Sequence, residues 1–283
     1  MNCKLGFVFR QIRQSRGWTL ALAADGIISL AFLSKFERGE NDISAEKLFA
    51  LLERMAIPAS EYLYLVNSYS FDSITQFYDE INQCVMYHDC VRLVNMLTDH
   101  YIEHLNDNNQ ICEHKTASVR LAIAKTNQSP PQKDDITTIK KYLLNVDEWG
   151  CYELLLYETN LTFFNPELVL LLSKNAYRKG KMLAVIKPQL LANILIKTIT
   201  LFLENRAYNL IPYFLNAAKC DVTGSHLIYE NIILNILNGL YLMSQEKQLS
   251  IGQAHVTEGV MMLEKLGFTN VASTYQQLSE RFS

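Results

Sequence analysis

Glycine and proline are scarce, at 11 and 6 of 283 residues, against usual shares of ~7% and ~5%. A chain with so few breakers is neither collagen-like nor a Gly/Pro-rich linker, and it favours helices over tight turns. No apolar run approaches the ~20 residues that a membrane-spanning helix needs. Leu168–Leu172 is typical of the longest runs. There is no CxxC pair. The six cysteines (Cys3, Cys84, Cys90, Cys112, Cys151 and Cys220) are scattered and read as small core residues of a reducing compartment. Met1–Arg16 lacks an apolar segment and carries four basic residues, so the expectation is a cytoplasmic protein with no membrane partner. A GxSxG elbow, a P-loop and a dinucleotide fingerprint are all missing. No enzymatic activity and no cofactor are therefore expected.

What is present is apolar and helix-forming. Hydrophobic residues make up 49% and charged residues 19%, enough to build a core without a metal or disulfide staple. The net charge of -3 is uneven: residues 1–60 carry +2 and residues 61–283 carry -5. A mildly basic head on an acidic body suits an anionic partner for the head. The fold class expected is all-α in two domains: 1–66, a polar linker 67–72, and 73–283.

In the head, Leu5, Phe9 and Ile12 recur at helical spacing and Gly17 stops the helix. Thr19, Ser29 and Ser44 are natural caps for three further helices, and Pro58 precedes a last one. A short helix, a turn and a second helix capped by Ser29 is helix-turn-helix geometry. Arg10, Arg13, Arg16, Lys35 and Arg38 are candidate phosphate contacts, with Thr19 beside them. In the body, Asn165-Pro166-Glu167 and Pro188 mark helix starts, Gly180 a stop, and Ser225, Ser250 and Thr269 caps. Helix pairs recur at roughly 35–45 residues, the period of helical repeat arrays, which curve and offer a concave face.

The segments Leu5–Leu20, Ile28–Asp42 (with Ser-Lys-Phe-Glu-Arg-Gly-Glu at 34–40) and Ile43–Ile57 resemble the Cro/repressor-type helix-turn-helix. More closely, they are similar to the Rgg/GadR/MutR regulators. Trp149-Gly-Cys-Tyr-Glu-Leu, Tyr229-Glu-Asn-Ile and Asn238-Gly-Leu-Tyr resemble that family's C-terminal domain. The resemblance implies a cytoplasmic homodimer that binds double-stranded promoter DNA. It also implies a tetratricopeptide-like repeat domain that senses a short hydrophobic signalling peptide. Base-reading positions fall on Ser29, Leu30, Ala31, Phe32 and Ser34. Leu30, Ala31 and Phe32 stand where relatives carry polar residues. They cannot make bidentate hydrogen bonds to guanine or adenine, which leaves thymine-methyl contact or shape readout. Some relatives carry a cysteine that could bridge the dimer where this chain has Ser44 and Ala45, so no such bridge is expected.

For the peptide, Asn231, Asn235 and Asn238 lie at i, i+4 and i+7, a stripe whose amides could grip a backbone. Asn193 and Lys197 form a second pair, with Lys197 suited to a carboxylate. Tyr157 and Tyr229 are candidates for the groove wall. His100-Tyr-Ile-Glu-His104 matches a zinc-peptidase pattern, but it lacks a third ligand and is read as repeat-helix packing. The competing function is a helical repeat adaptor for a protein partner, with a head that no longer reads DNA.

Overall fold

A computed structural model describes residues 2–67, 73–103, 109–183, 187–222, 226–245 and 248–282. Regular structure among them is entirely helical. The chain forms two compact units, Met1–Phe77 and Tyr78–Ser283, so the division falls inside a helix, five residues beyond the expected start of the body. The linker positions 68–72 lie outside the described residues.

The first unit holds α1 (Asn2–Ser15), α2 (Leu20–Ala24), α3 (Leu30–Glu37), α4 (Ala45–Arg54) and α5 (Ala59–Val66). The three expected caps are made. Thr19, Ser29 and Ser44 accept hydrogen bonds from the amides of Leu22 (3.1 Å), Phe32 (3.2 Å) and Lys47 (3.4 Å), satisfying donors that open helix ends leave unpaired. Gly17 has φ +69° after α1, a conformation that side chains disfavour. Phe9, Leu33, Phe36, Leu51 and Tyr62 are buried in one core. At Gly6, α1 meets α3 so closely that a Cβ would sit 1.8 Å from the Phe36 carbonyl oxygen.

The second unit continues from α6 (Ser73–Met86) through α7 (Cys90–Glu103), α8 (Gln110–Thr126), α9 (Lys133–Asn145), α10 (Cys151–Asn160), α11 (Pro166–Leu183), α12 (Pro188–Glu204), α13 (Ile211–Asp221), α14 (Ile228–Met243), α15 (Leu249–Lys265) and α16 (Thr269–Ser279). From α7 onward successive helices pack on one another, and α12 touches α10, α11, α13 and α14. That central place explains its run of buried residues from Leu190 to Leu203. Helices α14 and α15 also meet closely: a Cβ on Gly252 would lie 2.5 Å from the Gly239 carbonyl oxygen.

Three expected boundaries shift. Gly180 does not stop α11, which runs on to Leu183. Its missing side chain instead admits Leu191, 3.0 Å from where a Cβ would be. Ser250 and Thr269 lie inside their helices, which begin after Gln248 and Phe268. Ser225 lies outside the described residues.

Unit two encloses polar groups as well as apolar ones. His114 is buried (1% exposed), its Nδ1 2.8 Å from the Tyr152 hydroxyl and its ring 4.4 Å from that of Tyr142. Tyr142 donates to Glu153 (2.6 Å), which also accepts the Gly150 amide (2.7 Å). Burial holds the His114 imidazole below its ordinary pKa, outweighing the pull of Glu113 and Glu153. The unfolded chain therefore takes up this proton first, and stability is lost as pH falls below about 6.5. The stability difference between wild type and His114→Gln, measured by urea unfolding, should shrink between pH 7.5 and 5. An unchanged difference would mean that His114 is not held neutral.

Candidate nucleic-acid interface and peptide site

The outer face of α3 is made by Leu30, Ala31, Lys35 and Arg38, all exposed, with Ser34 half-buried between them. Leu33, Phe36 and Glu37 face the core. Arg10 is exposed on α1. Ser29 and Thr19 spend their hydroxyls on capping. Phe32 is half-buried, with the Lys47 ammonium 5.6 Å from its ring centroid.

The arginines divide. Arg13 is buried (6% exposed). Its Nε and Nη2 reach the two carboxylate oxygens of Glu37 at 2.6 and 2.7 Å, and its Nη1 donates to the Trp18 carbonyl at 2.6 Å. It ties α1 to α3 and cannot meet a phosphate, which corrects the expectation for this residue. Arg16 donates to the Met55 carbonyl and lies 3.8 Å from Glu61. Arg38 clamps Glu40 (2.5 and 2.9 Å) and donates to Ser34 (2.5 Å). It remains on the surface, already paired.

The expected peptide residues also divide. Tyr157 is fully buried, its hydroxyl 2.6 Å from that of Ser173 and its ring packed on Trp149 and Phe164. It is a core residue, not a groove wall. Asn231 donates to the carbonyls of Val222 (3.2 Å) and Leu227 (2.7 Å), fastening the approach to α14. Asn235 lies 2.7 Å from His255 on α15, so it joins two helices. The asparagine stripe thus largely serves packing. Tyr229 is half-buried against Phe268, 4.8 Å between centroids. Asn238 and Asn193 are half-buried. Lys197 is neutralised by the buried Glu158 (2.7 Å) and donates to Asn82 (3.1 Å) and the Glu158 carbonyl (3.1 Å), so its charge is balanced from within.

Around Lys197 lies a polar surface that the pairwise reading of the sequence missed. Lys125 of α8 is open to solvent and donates to Thr162 (3.2 Å). The protein around it strips hydration from its ammonium, and the neighbouring Lys197 repels it, so its pKa falls below the ordinary lysine value. Glu204 and Glu158 pull the other way. Tyr275 of α16, raised above the ordinary phenol value by burial, lies near Tyr229, Thr200 and Glu204. Lys125, Lys197, Thr200, Glu204, Tyr229 and Tyr275 therefore lie near one another on α8, α12, α14 and α16, with Asn193 one turn before Lys197 on α12. Thr200 and Glu204 continue the Asn193–Lys197 stripe at i+7 and i+11, so their place was within reach of helical spacing.

A depression of about 630 Å³ lies along α15, lined by Ser250, Gln253, Ala254, Thr257, Glu258, Met261, Met262 and Lys265. None of the expected peptide residues borders it. Among the described residues no His, Cys, Asp and Glu side chains gather as a metal site. The His100–His104 motif is incompletely described, since His104 lies outside the described residues. Among the described residues no helix is long and apolar enough to cross a membrane.

Residues 9–62 match the helix-turn-helix family model, and residues 94–277 match that of the HTH-type transcriptional regulator Rgg, C-terminal domain. The chain belongs to the Rgg family of transcriptional regulators. It is similar to the Streptococcus dysgalactiae SHP pheromone receptor Rgg2, with 19% identity over 99% of this chain and 100% of that one and a TM-score of 0.79. A Listeria monocytogenes EGD-e protein described as a candidate transcriptional regulator matches with 19% identity over 100% and 98% and a TM-score of 0.85. PrgX in its complex with cCF10 matches with 15% identity over 99% and 100% and a TM-score of 0.72. At these identities the structural likeness establishes the fold. The family is one of regulators, not enzymes.

If Arg13 is an internal tie of this Rgg-family chain, removing it alone strands the Glu37 charge in the core. Arg13→Met should cost about 3–5 kcal/mol in urea unfolding of the first unit, and adding Glu37→Leu should restore much of it. A silent Arg13→Met variant would return the residue to the surface.

Proposed function

We propose that this chain is a cytoplasmic, homodimeric transcription regulator. Its first unit binds promoter DNA, and its second senses a short hydrophobic peptide. What supports the reading most is the pairing in one chain of an exposed α3 face with a second unit of the Rgg C-terminal type. Relatives of this fold include an SHP pheromone receptor and PrgX with cCF10, which favours a peptide as the ligand here. For DNA, the exposed cations Arg10 and Lys35 are the leading phosphate partners, with Arg16 and Arg38 contributing once their present pairs open. Thr19 and Ser29 set the ends of α2 and α3 against the duplex, and Phe32 and Ser34 border the reading face.

For the peptide, Asn193 supplies a donor and an acceptor for a backbone, Lys125 a charge for an acidic group, and Thr200, Tyr229 and Tyr275 the surrounding wall. Asn238 extends this surface, while Asn231, Asn235 and Lys197 hold its floor. The peptide changes promoter output by binding one arrangement of the dimer better than another.

The exposed Leu22 and Leu30 (each 52%) favour the adaptor reading, and salt separates the two. Duplex affinity should fall linearly in log–log plots against salt, and Arg10→Ala with Lys35→Ala should flatten the slope by about two counterions. Retention of a protein partner with no salt-dependent duplex binding would sink the regulator. Asn193→Ala and Lys125→Ala should each weaken a fluorescently labelled hydrophobic peptide found by library screening by about tenfold, the effect of a hydrogen bond to a charged or desolvated group. Unchanged affinity would remove α8 and α12 from the peptide site.

A further inference from the structure

We propose, on the reading that the first unit binds DNA, that it identifies its site through thymine 5-methyl groups touched by Leu30 and Ala31. On the outward face of α3 the polar side chains other than Lys35 are engaged within the protein. Ser29 caps the helix by accepting the Phe32 amide, and Ser34 accepts from Arg38, which also holds Glu40. The leading positions are apolar: Leu30 is 52% exposed and Ala31 is exposed beside it. Cations flank them, Lys35 one turn on from Ala31 and Lys47 over the Phe32 ring. An apolar pair set between cations complements a polyanion that itself carries an apolar group. In the major groove of DNA that group is the thymine methyl, which no other base carries. A purely apolar protein partner has no use for the flanking charges.

The side chains at these positions offer no bidentate pairing to guanine or adenine. Reading by Leu30 and Ala31 is therefore contact or exclusion: a methyl fills the space in front of them, and a base without it leaves that space to water.

The test uses the full chain and duplexes enriched from a random-sequence library at low salt. Each thymine of the enriched site is replaced in turn by deoxyuridine, which keeps the pairing edge and the O4 acceptor and lacks only the methyl. Affinity should fall about fourfold at each contacted position, the equivalent of one apolar carbon left unburied. Leu30→Ala should abolish that sensitivity at one position without changing the salt slope. Because any change in the duplex itself persists against the variant, the loss is specific to the side chain. Circular-dichroism melting checks that the exposed substitution leaves the fold intact. Salt-dependent binding with equal affinity for thymine and deoxyuridine sites would overturn the methyl reading and leave the regulator standing. Enrichment of no duplex at all would overturn the DNA reading and this inference with it.

Discussion

The bidentate bond between Arg13 and Glu37 decides where the exposed face of α3 points. Helices packed only by apolar contacts can slide and roll at modest cost, since dispersion is weakly directional. A planar guanidinium gripping both oxygens of a carboxylate allows one relative orientation. Here it joins α1 to the last turn of α3, and its third bond to Trp18 brings in the turn that leads to α2. The close approach at Gly6 fixes the same pair of helices, and the Tyr62 hydroxyl on the Leu5 carbonyl (2.7 Å) ties α5 to α1 beside them. The consequence is a rigid α3 whose exposed stripe is set by buried chemistry behind it.

The second unit uses the same device with an additional twist. Glu158 is 3% exposed and faces Lys197 at 2.7 Å, so a buried charge is paired rather than left alone. Asn82, from α6, donates to the Glu158 carboxylate at 2.8 Å and accepts from Lys197, joining three helices at one point. Lys197 nonetheless still lowers the pKa of the nearby Lys125, second to the desolvation around that ammonium.

Much of the fold was legible because its signals are local. Thr19, Ser29 and Ser44 cap their own helices within three residues, and the Asn165 side chain accepts the Leu168 amide at 2.9 Å in front of Pro166. Positions that depend on a distant partner were not. Gly180 reads as a stop until Leu191 is beside it. Arg13 reads as a surface cation until Glu37 arrives from 24 residues away. A trace of that pair was present: Arg13 shares the apolar face of Phe9 and Ile12, and Glu37 follows Phe36 on the core side of α3. Two opposite charges on two core-facing stripes are a better signature of an internal tie than of a phosphate clamp.

The asparagines of α14 carry the same lesson to the site. Their i, i+4, i+7 spacing correctly placed them on one face, but spacing does not say whether the face meets a ligand or another helix. At Asn235 it meets His255, and at Asn231 the chain's own carbonyls. What distinguishes the α12 stripe is that its members differ in kind. An amide, a balanced cation, a hydroxyl and a carboxylate follow one another at Asn193, Lys197, Thr200 and Glu204. A helix seam can use such variety only where each polar group is matched across the contact, as Lys197 is by Glu158 and Asn82. On the proposal that the second unit takes an extended peptide, the remaining members suit it, because a peptide presents donors, acceptors and charge in succession along its length.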